Sequence, residues 1–157
     1  MQNDSLIRQD VELRFESLAT YRDVINSSEV EEVLLKFVNN IKNSGAKKNG
    51  PLISTTFGID SRENGLFLDI EFLVPIDRQI PLETPYKFKP LFYLKHALSV
   101  RHFGNPNLLE TTYRNISQFI TENNLQQITS GYNVNLNDEL GGAQIIDVYI
   151  GVNPSVT

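Results

Sequence analysis

Two stretches set the strongest limit on this fold: LDIEFLVP at residues 68–75 and IDVYIGVN at residues 146–153, which alternate apolar and polar residues alike, 78 positions apart. Strand side chains point to opposite faces in turn, so each stretch reads as a strand with one greasy face. Leu68, Ile70, Phe72 and Val74 make that face in the first, and Ile146, Val148, Ile150 and Val152 in the second. At the same offset Asp69 matches Asp147 and Glu71 matches Tyr149.

The elements before each stretch recur in order. VELRFESLAT alternates as a strand. NSSEVEEVLLKFVNNIKNSG places Val30, Val33, Leu34, Phe37, Val38 and Ile41 at helical spacing, with Ser27 or Ser28 as cap and Gly45 as stop. PLISTTFGI reads as a strand and DSRENG as a turn into LFLDIEFLVPI. In the second half, LFYLKHALSVRHF reads as extended. NLLETTYRNISQFITENN sets Leu108, Leu109, Thr112, Ile116, Phe119 and Ile120 near one helical face, and YNVNLND and AQIIDVYIGV follow as strands. Val38 matches Ile116 and Ile41 matches Phe119 at 78, while the middle strands TFGID and GYNVN need an offset three residues shorter. Chance similarity of apolar patterns stays open beside a duplicated β-α-β-β module. The expectation is an α+β fold of two such modules with pseudo-twofold symmetry, antiparallel sheets and both helices on one side. It forms a single domain, with half one at 11–76, a linker at 77–90 and half two at 91–154.

The polar faces of the final strands then carry Asp69, Glu71, Asp147 and Tyr149, joined from the middle strands by Thr56, Asn133 and Asn135. Such a face can simply meet water, as antiparallel sheets often do. Alternatively, the two halves enclose a polar groove, with Glu71, Asn133, Asn135, Tyr149, Asp69 and Thr56 as its ligand-binding residues. Glu71 would pair with a donor or cation, the asparagines would hydrogen-bond, and Tyr149 would stack or donate its hydroxyl.

Several function classes are disfavoured. The net charge is −5 with no basic stripe, against nucleic acid. Cysteine is absent, which removes thiol nucleophiles and thiolate metal sites and fits a reducing compartment. The first residues lack a signal-peptide pattern and no apolar run is long enough to span a bilayer, so a cytoplasmic protein without membrane contact is expected. No cofactor is expected, and no metal, because no helical histidine pair supports Asp69 and Glu71 and NLNDEL lacks the glycine of a calcium loop. ELGGAQ precedes a strand and so is no phosphate loop.

The run VRHFGNPNLLETTYRNI, residues 100–116, concentrates His102, a Gly-Asn-Pro turn, Glu110 and Tyr113. Gly104 can take backbone angles other residues resist, Asn105 can cap, and Pro106 suits a first helical turn. A histidine base needs a nucleophile or orienting acid beside it. The chain offers no nucleophile elbow, and His96 and His102 share strand parity with Leu94 and Leu98. The run therefore reads as a strand-to-helix corner, with no catalytic residue.

That run, FITENNL after it and the later YNVNLNDE resemble the second half of a GyrI-like domain, the effector-binding domain of multidrug-responsive regulators. The elements that carry the likeness are His102, Gly104, Pro106 and Tyr113, with the strand containing Asn133 and Asn135. The resemblance implies a binding module rather than an enzyme, taking a small organic molecule between its halves. More narrowly, the chain resembles stand-alone GyrI-like proteins of Gram-positive bacteria often encoded near LXG-type toxins of the type VII secretion system. That likeness implies a protein-interaction adaptor or antitoxin-like partner as the alternative. Some GyrI-like proteins act as hydrolases, a third reading. Where the family pattern has a ligand-pairing glutamate, this chain has Asn133, so Glu71 becomes the candidate acid for a cationic ligand.

Overall fold

A computed structural model describes residues 6–105, 108–136 and 144–153. Pro106, read above as suited to a first helical turn, and residues 137–143, which include the end of YNVNLND and most of ELGGAQ, lie outside the described residues. In chain order the elements are β1 (Arg8–Asn26), a 3-10 turn (Ser27–Glu29), α1 (Val30–Asn43), β2 (Ile53–Arg62) and β3 (Gly65–Pro75). There follow β4 (Lys87–Gly104), α2 (Leu109–Glu122), β5 (Gln126–Asn135) and β6 (Gln144–Asn153). This is an α+β chain, with antiparallel strands and two helices.

The chain divides into two compact units, Phe15–Phe92 and the segments on either side of it. In the Phe15–Phe92 unit β3 is central, bonded to β1 on one edge and β2 on the other. Paired residues of antiparallel strands project to the same face. Ile70, Phe72 and Val74 therefore share one face, buried with Phe37 and Ile41 of α1 and with Ala19 and Ile25 of β1. Residues 77–90, expected as a linker, contribute Ile80, Leu82, Tyr86 and Phe88 to this core. The Phe37 and Tyr86 rings stack with centroids 5.2 Å apart.

In the second unit β6 is central, between β4 and β5. Ile146, Val148, Ile150 and Val152 form its greasy face with Leu98 and with Ile116 and Ile120 of α2. The expected parity of both final strands is thus observed.

Local chemistry explains the ends of the helices, with some corrections. Asn26, rather than Ser27 or Ser28, caps the turn into α1, its side chain accepting from the Ser28 amide at 3.0 Å. Gly45 closes α1 as expected, at φ +95°, a conformation that costs other residues more. At α2 the flanking residue is Leu108, with no side-chain cap; the Asn105 carbonyl accepts the Leu108 amide at 3.0 Å. β1 runs on past its expected end, and Ser17, at φ +60°, interrupts its regular alternation before the consecutive buried residues Leu18, Ala19 and Thr20. His96 does the same in β4 at φ +51°. Contrary to its expected parity with Leu94 and Leu98, His96 is exposed, its Nδ1 2.7 Å from Asp10 Oδ1.

Candidate functional site

Glu71 lies mid-way along the central strand of the Phe15–Phe92 unit, with Arg22 of β1 opposite it on one side and Thr55 of β2 on the other. These side chains occupy the face away from α1. Two residues further on, Leu73 stands between Thr20 and Ile53, and all three are buried. Two residues back, Asp69 stands between Val24 and Gly58. Glu71 is therefore at the boundary between a buried floor and a charged rim.

Its carboxylate is partly buried and makes no hydrogen bond or ion pair among the described residues. Burial raises its pKa; Lys89, Arg22 and Lys87 pull the other way, and Asp69 adds to the rise. Arg22, the nearest cation in register, is committed elsewhere. Its Nε and Nη2 donate to the two Asp69 oxygens at 3.0 and 2.9 Å, and its guanidinium lies 3.8 Å above the Phe57 ring centroid. The Arg22 bonds in turn hold the Asp69 carboxyl below the usual carboxylate range.

The other unit resolves the same arrangement differently. Arg101 stands directly opposite Asp147, as Arg22 stands opposite Glu71. Here the pair is made, with Arg101 Nε and Nη2 donating to Asp147 at 2.8 and 3.0 Å. Arg8 stands 3.7 Å from the same carboxylate and donates to Ser99 Oγ at 3.0 Å. Asp147 is 4% exposed, so these cations balance a carboxylate removed from water. Glu71 and Asp147 are thus alike in facing an arginine across the register, whereas the sequence alignment set Glu71 beside Tyr149. The buried helix residues Phe37 and Ile41 stand 79 residues before buried Ile116 and Ile120, an offset different from that of the two acids.

The six residues expected to line one site do not share one kind of face. Asp69 and Glu71 lie together, and Tyr149, between Ser99 and Tyr132, lies on the face of its own unit away from α2. Thr56 is opposite Ile70 and so on the α1 side; Thr55 is the threonine on the Glu71 face. Asn133 is opposite Val148 and Asn135 opposite Ile146, which puts both on the α2 side. Asn133 accepts a hydrogen bond from the Tyr113 hydroxyl of α2. The Tyr113 ring lies against Gly131, where any Cβ would overlap it. Burial raises the Tyr113 pKa to about 12, so the hydroxyl remains a donor.

The residues missed in the sequence are Arg22, Thr55 and Phe57. An arginine on the polar parity of a strand was the available signal.

His102 is 7% exposed, with Nδ1 3.0 Å from Thr112 Oγ1 and Nε2 3.0 Å from the Asn105 carbonyl. A carbonyl only accepts, so Nε2 carries the proton there, and in the neutral ring Nδ1 accepts from Thr112. Gly104 takes φ +101°. The histidine ties the end of β4 to α2, as a corner residue would. Among the described residues no three His, Asp or Glu side chains gather as a metal site requires. No helix among them is long and apolar enough to cross a membrane.

Comparison with known proteins places the fold. The EcmrR C-terminal domain superposes with a TM-score of 0.73 at 13% identity, over 96% of this chain and 100% of that one. Against EcmrR in its DNA complex the TM-score is 0.72 at 14% identity; 96% of this chain is covered but only 59% of that one. An uncharacterized conserved protein from Listeria innocua gives 0.63 at 12% identity, over 92% and 93% of the two chains. A hydrolase from the same organism gives 0.55 at 11%, over 96% and 94%. These likenesses concern the fold, and they accord with the GyrI-like architecture expected from the sequence. No curated protein matches this chain by sequence. Residues 16–154 match the family described as a domain of unknown function, DUF5085, and the chain belongs to that family.

Proposed function

We propose that this chain is a non-enzymatic binding module for a small organic cation, held at the Phe15–Phe92 unit by the Glu71 carboxylate. One observation carries the reading: Glu71 is a partly buried acid with no hydrogen-bonding partner among the described residues, at the rim of a buried floor of Leu73, Thr20 and Ile53. A carboxylate withdrawn from water and left unpaired gains most from a ligand that brings positive charge. Apolar floors with a few placed polar groups are what small-molecule sites use. Phe57, beneath the Arg22 guanidinium, adds an aromatic wall.

The absence of catalysis belongs to the same proposal. Asn133 stands where the family resemblance implies an acid and is engaged by Tyr113, and both ring nitrogens of His102 are engaged. We also read the two units as copies of one β-α-β-β module, on the strength of their common strand order and the buried helix positions 79 residues apart. No observation favours a toxin partner over a small molecule, so that reading enters as an outcome of the test.

The test is calorimetric titration of the aromatic monocations ethidium and crystal violet, with fluorescein as the anionic control. Glu71→Gln should weaken cation binding by roughly 1–3 kcal/mol, the scale of a charge-assisted hydrogen bond. Fluorescein should not bind, to either variant. Equal cation affinity in both variants, or no cation binding at all, would reject the reading; a protein that instead co-purifies in stoichiometric amount would favour the adaptor alternative.

A further inference from the structure

Arg22 is directly opposite Glu71 in the β1–β3 register, yet it bonds Asp69, two residues away along β3. In the other unit Arg101 bonds the acid directly opposite it, and the residue two positions before that acid is Ile145. The arginine and its facing acid are common to both units, and the difference lies in the rival acid at the diagonal position. A second contact reinforces the diversion. The Arg22 guanidinium stacks on Phe57, which follows Thr56 at the register shift of β2. A bulge of this kind re-aims a side chain, and here it marks the ring that receives the arginine.

We propose that Asp69 is a positioning residue which, with Phe57, holds the Arg22 guanidinium off Glu71 and so keeps that carboxylate open to a ligand. The consequence for ligand binding rests on the function proposed above; the clamp itself does not. Without Asp69, Arg22 has the same opportunity that Arg101 uses, and the geometry of the second unit is the expected result. The clamp does not act as an acid switch. The Glu71 pKa is raised and the Asp69 pKa lowered, so on acidification Glu71 takes up its proton before Asp69 releases Arg22.

The experiment follows the Glu71 side-chain carboxyl carbon and the Arg22 Nε–Hε resonance by NMR as pH is varied. It compares the parent chain, Asp69→Asn, and Asp69→Asn combined with Arg22→Gln. In Asp69→Asn the Arg22 resonance should titrate together with Glu71, and the Glu71 midpoint should fall. With Arg22→Gln alone as a fourth protein, that substitution should raise the Glu71 midpoint more in the Asp69→Asn background than in the parent, which separates docking of the arginine from mere loss of charge. Ethidium affinity should drop about fivefold in Asp69→Asn, the size of an exposed ion pair that the ligand must displace. An Arg22 resonance that ignores Glu71 in Asp69→Asn overturns the proposal, whatever ethidium does. Failure of ethidium to bind the parent chain overturns the ligand reading while the NMR outcome still decides the clamp.

Discussion

The two units give one arginine–acid motif two outcomes. In the unit containing β6, Arg101 and Arg8 gather on Asp147, and the carboxylate is almost wholly buried. In the Phe15–Phe92 unit, Arg22 is drawn to Asp69 and Phe57, and Glu71 is left partly buried with no hydrogen bond or ion pair among the described residues. A buried carboxylate that keeps its cations is a structural element, because removing either side leaves an uncompensated charge. One denied its facing cation is the acid to which we assign the ligand. A single diagonal residue, Asp69 against Ile145, marks the difference.

The comparison can be broken most severely at Arg101. Arg101→Met should destabilise the chain by about 3 kcal/mol, because Asp147 stays buried with only Arg8 near it. Arg22→Met should cost less than about 1 kcal/mol, as expected for a pair whose members both reach solvent. Urea unfolding of the two variants measures both, and equal losses would erase the distinction between the units.

Transferring the diagonal acid sharpens the same point. Ile145→Asp should draw Arg101 partly off Asp147 and cost about 2 kcal/mol. A crystal structure of that variant should show Arg101 on the new carboxylate; an undisturbed Arg101–Asp147 pair would mean the rival acid is not what diverts the arginine.

A smaller effect is expected at Tyr113. Tyr113→Phe removes the hydrogen bond to Asn133 while the ring keeps its seat against Gly131, so thermal unfolding should register a loss of about 1 kcal/mol. Cation affinity should be unchanged in that variant, because Asn133 faces α2.

The smallest change in stability, and opposite in sign, belongs to Glu71→Gln. Burial raises the Glu71 pKa above 4.5 in the folded chain. Between the ordinary and the raised value the folded state binds more protons than the unfolded one, so stability falls as pH rises through that window. The cost persists at neutral pH. Glu71→Gln should therefore be slightly more stable than the parent at pH 7, with a flatter dependence across the window between the ordinary and the raised Glu71 value. A steeper dependence in the variant would contradict the burial argument.

Much of the fold could be read from residue patterns. Ile70, Phe72 and Val74, and Ile146, Val148 and Ile150, announce their faces because an uninterrupted strand alternates. The helices announce theirs through the spacing of Phe37 and Ile41 and of Ile116 and Ile120. The site was less legible, for a physical reason. One irregular residue inverts every side chain beyond it. Ser17 and His96, at positive φ, interrupt the alternation of β1 and β4, and the register shifts of β2 and β5 hide which neighbours face the sheet's polar side. In TT at 55 and 56, alternation alone cannot choose the threonine that faces Glu71. In YNVN, the asparagines look like a polar face, although Val134 between them is the residue opposite Asp147. The shared face of Glu71 and Asp69 was legible because they lie on β3, the strand with the clearest alternation.

The central claim is that an open carboxylate at Glu71 receives a cation, and proton linkage tests it most directly. A cation bound beside Glu71 lowers the carboxyl's pKa, so binding near its midpoint must release protons. Ethidium titrations in two buffers of different ionisation enthalpy give the number released. Proton release is expected in the parent chain near the raised Glu71 midpoint, fading as pH rises above it, and none in Glu71→Gln. The same proton count in both proteins would show that the cation binds without Glu71, and would contradict the claim.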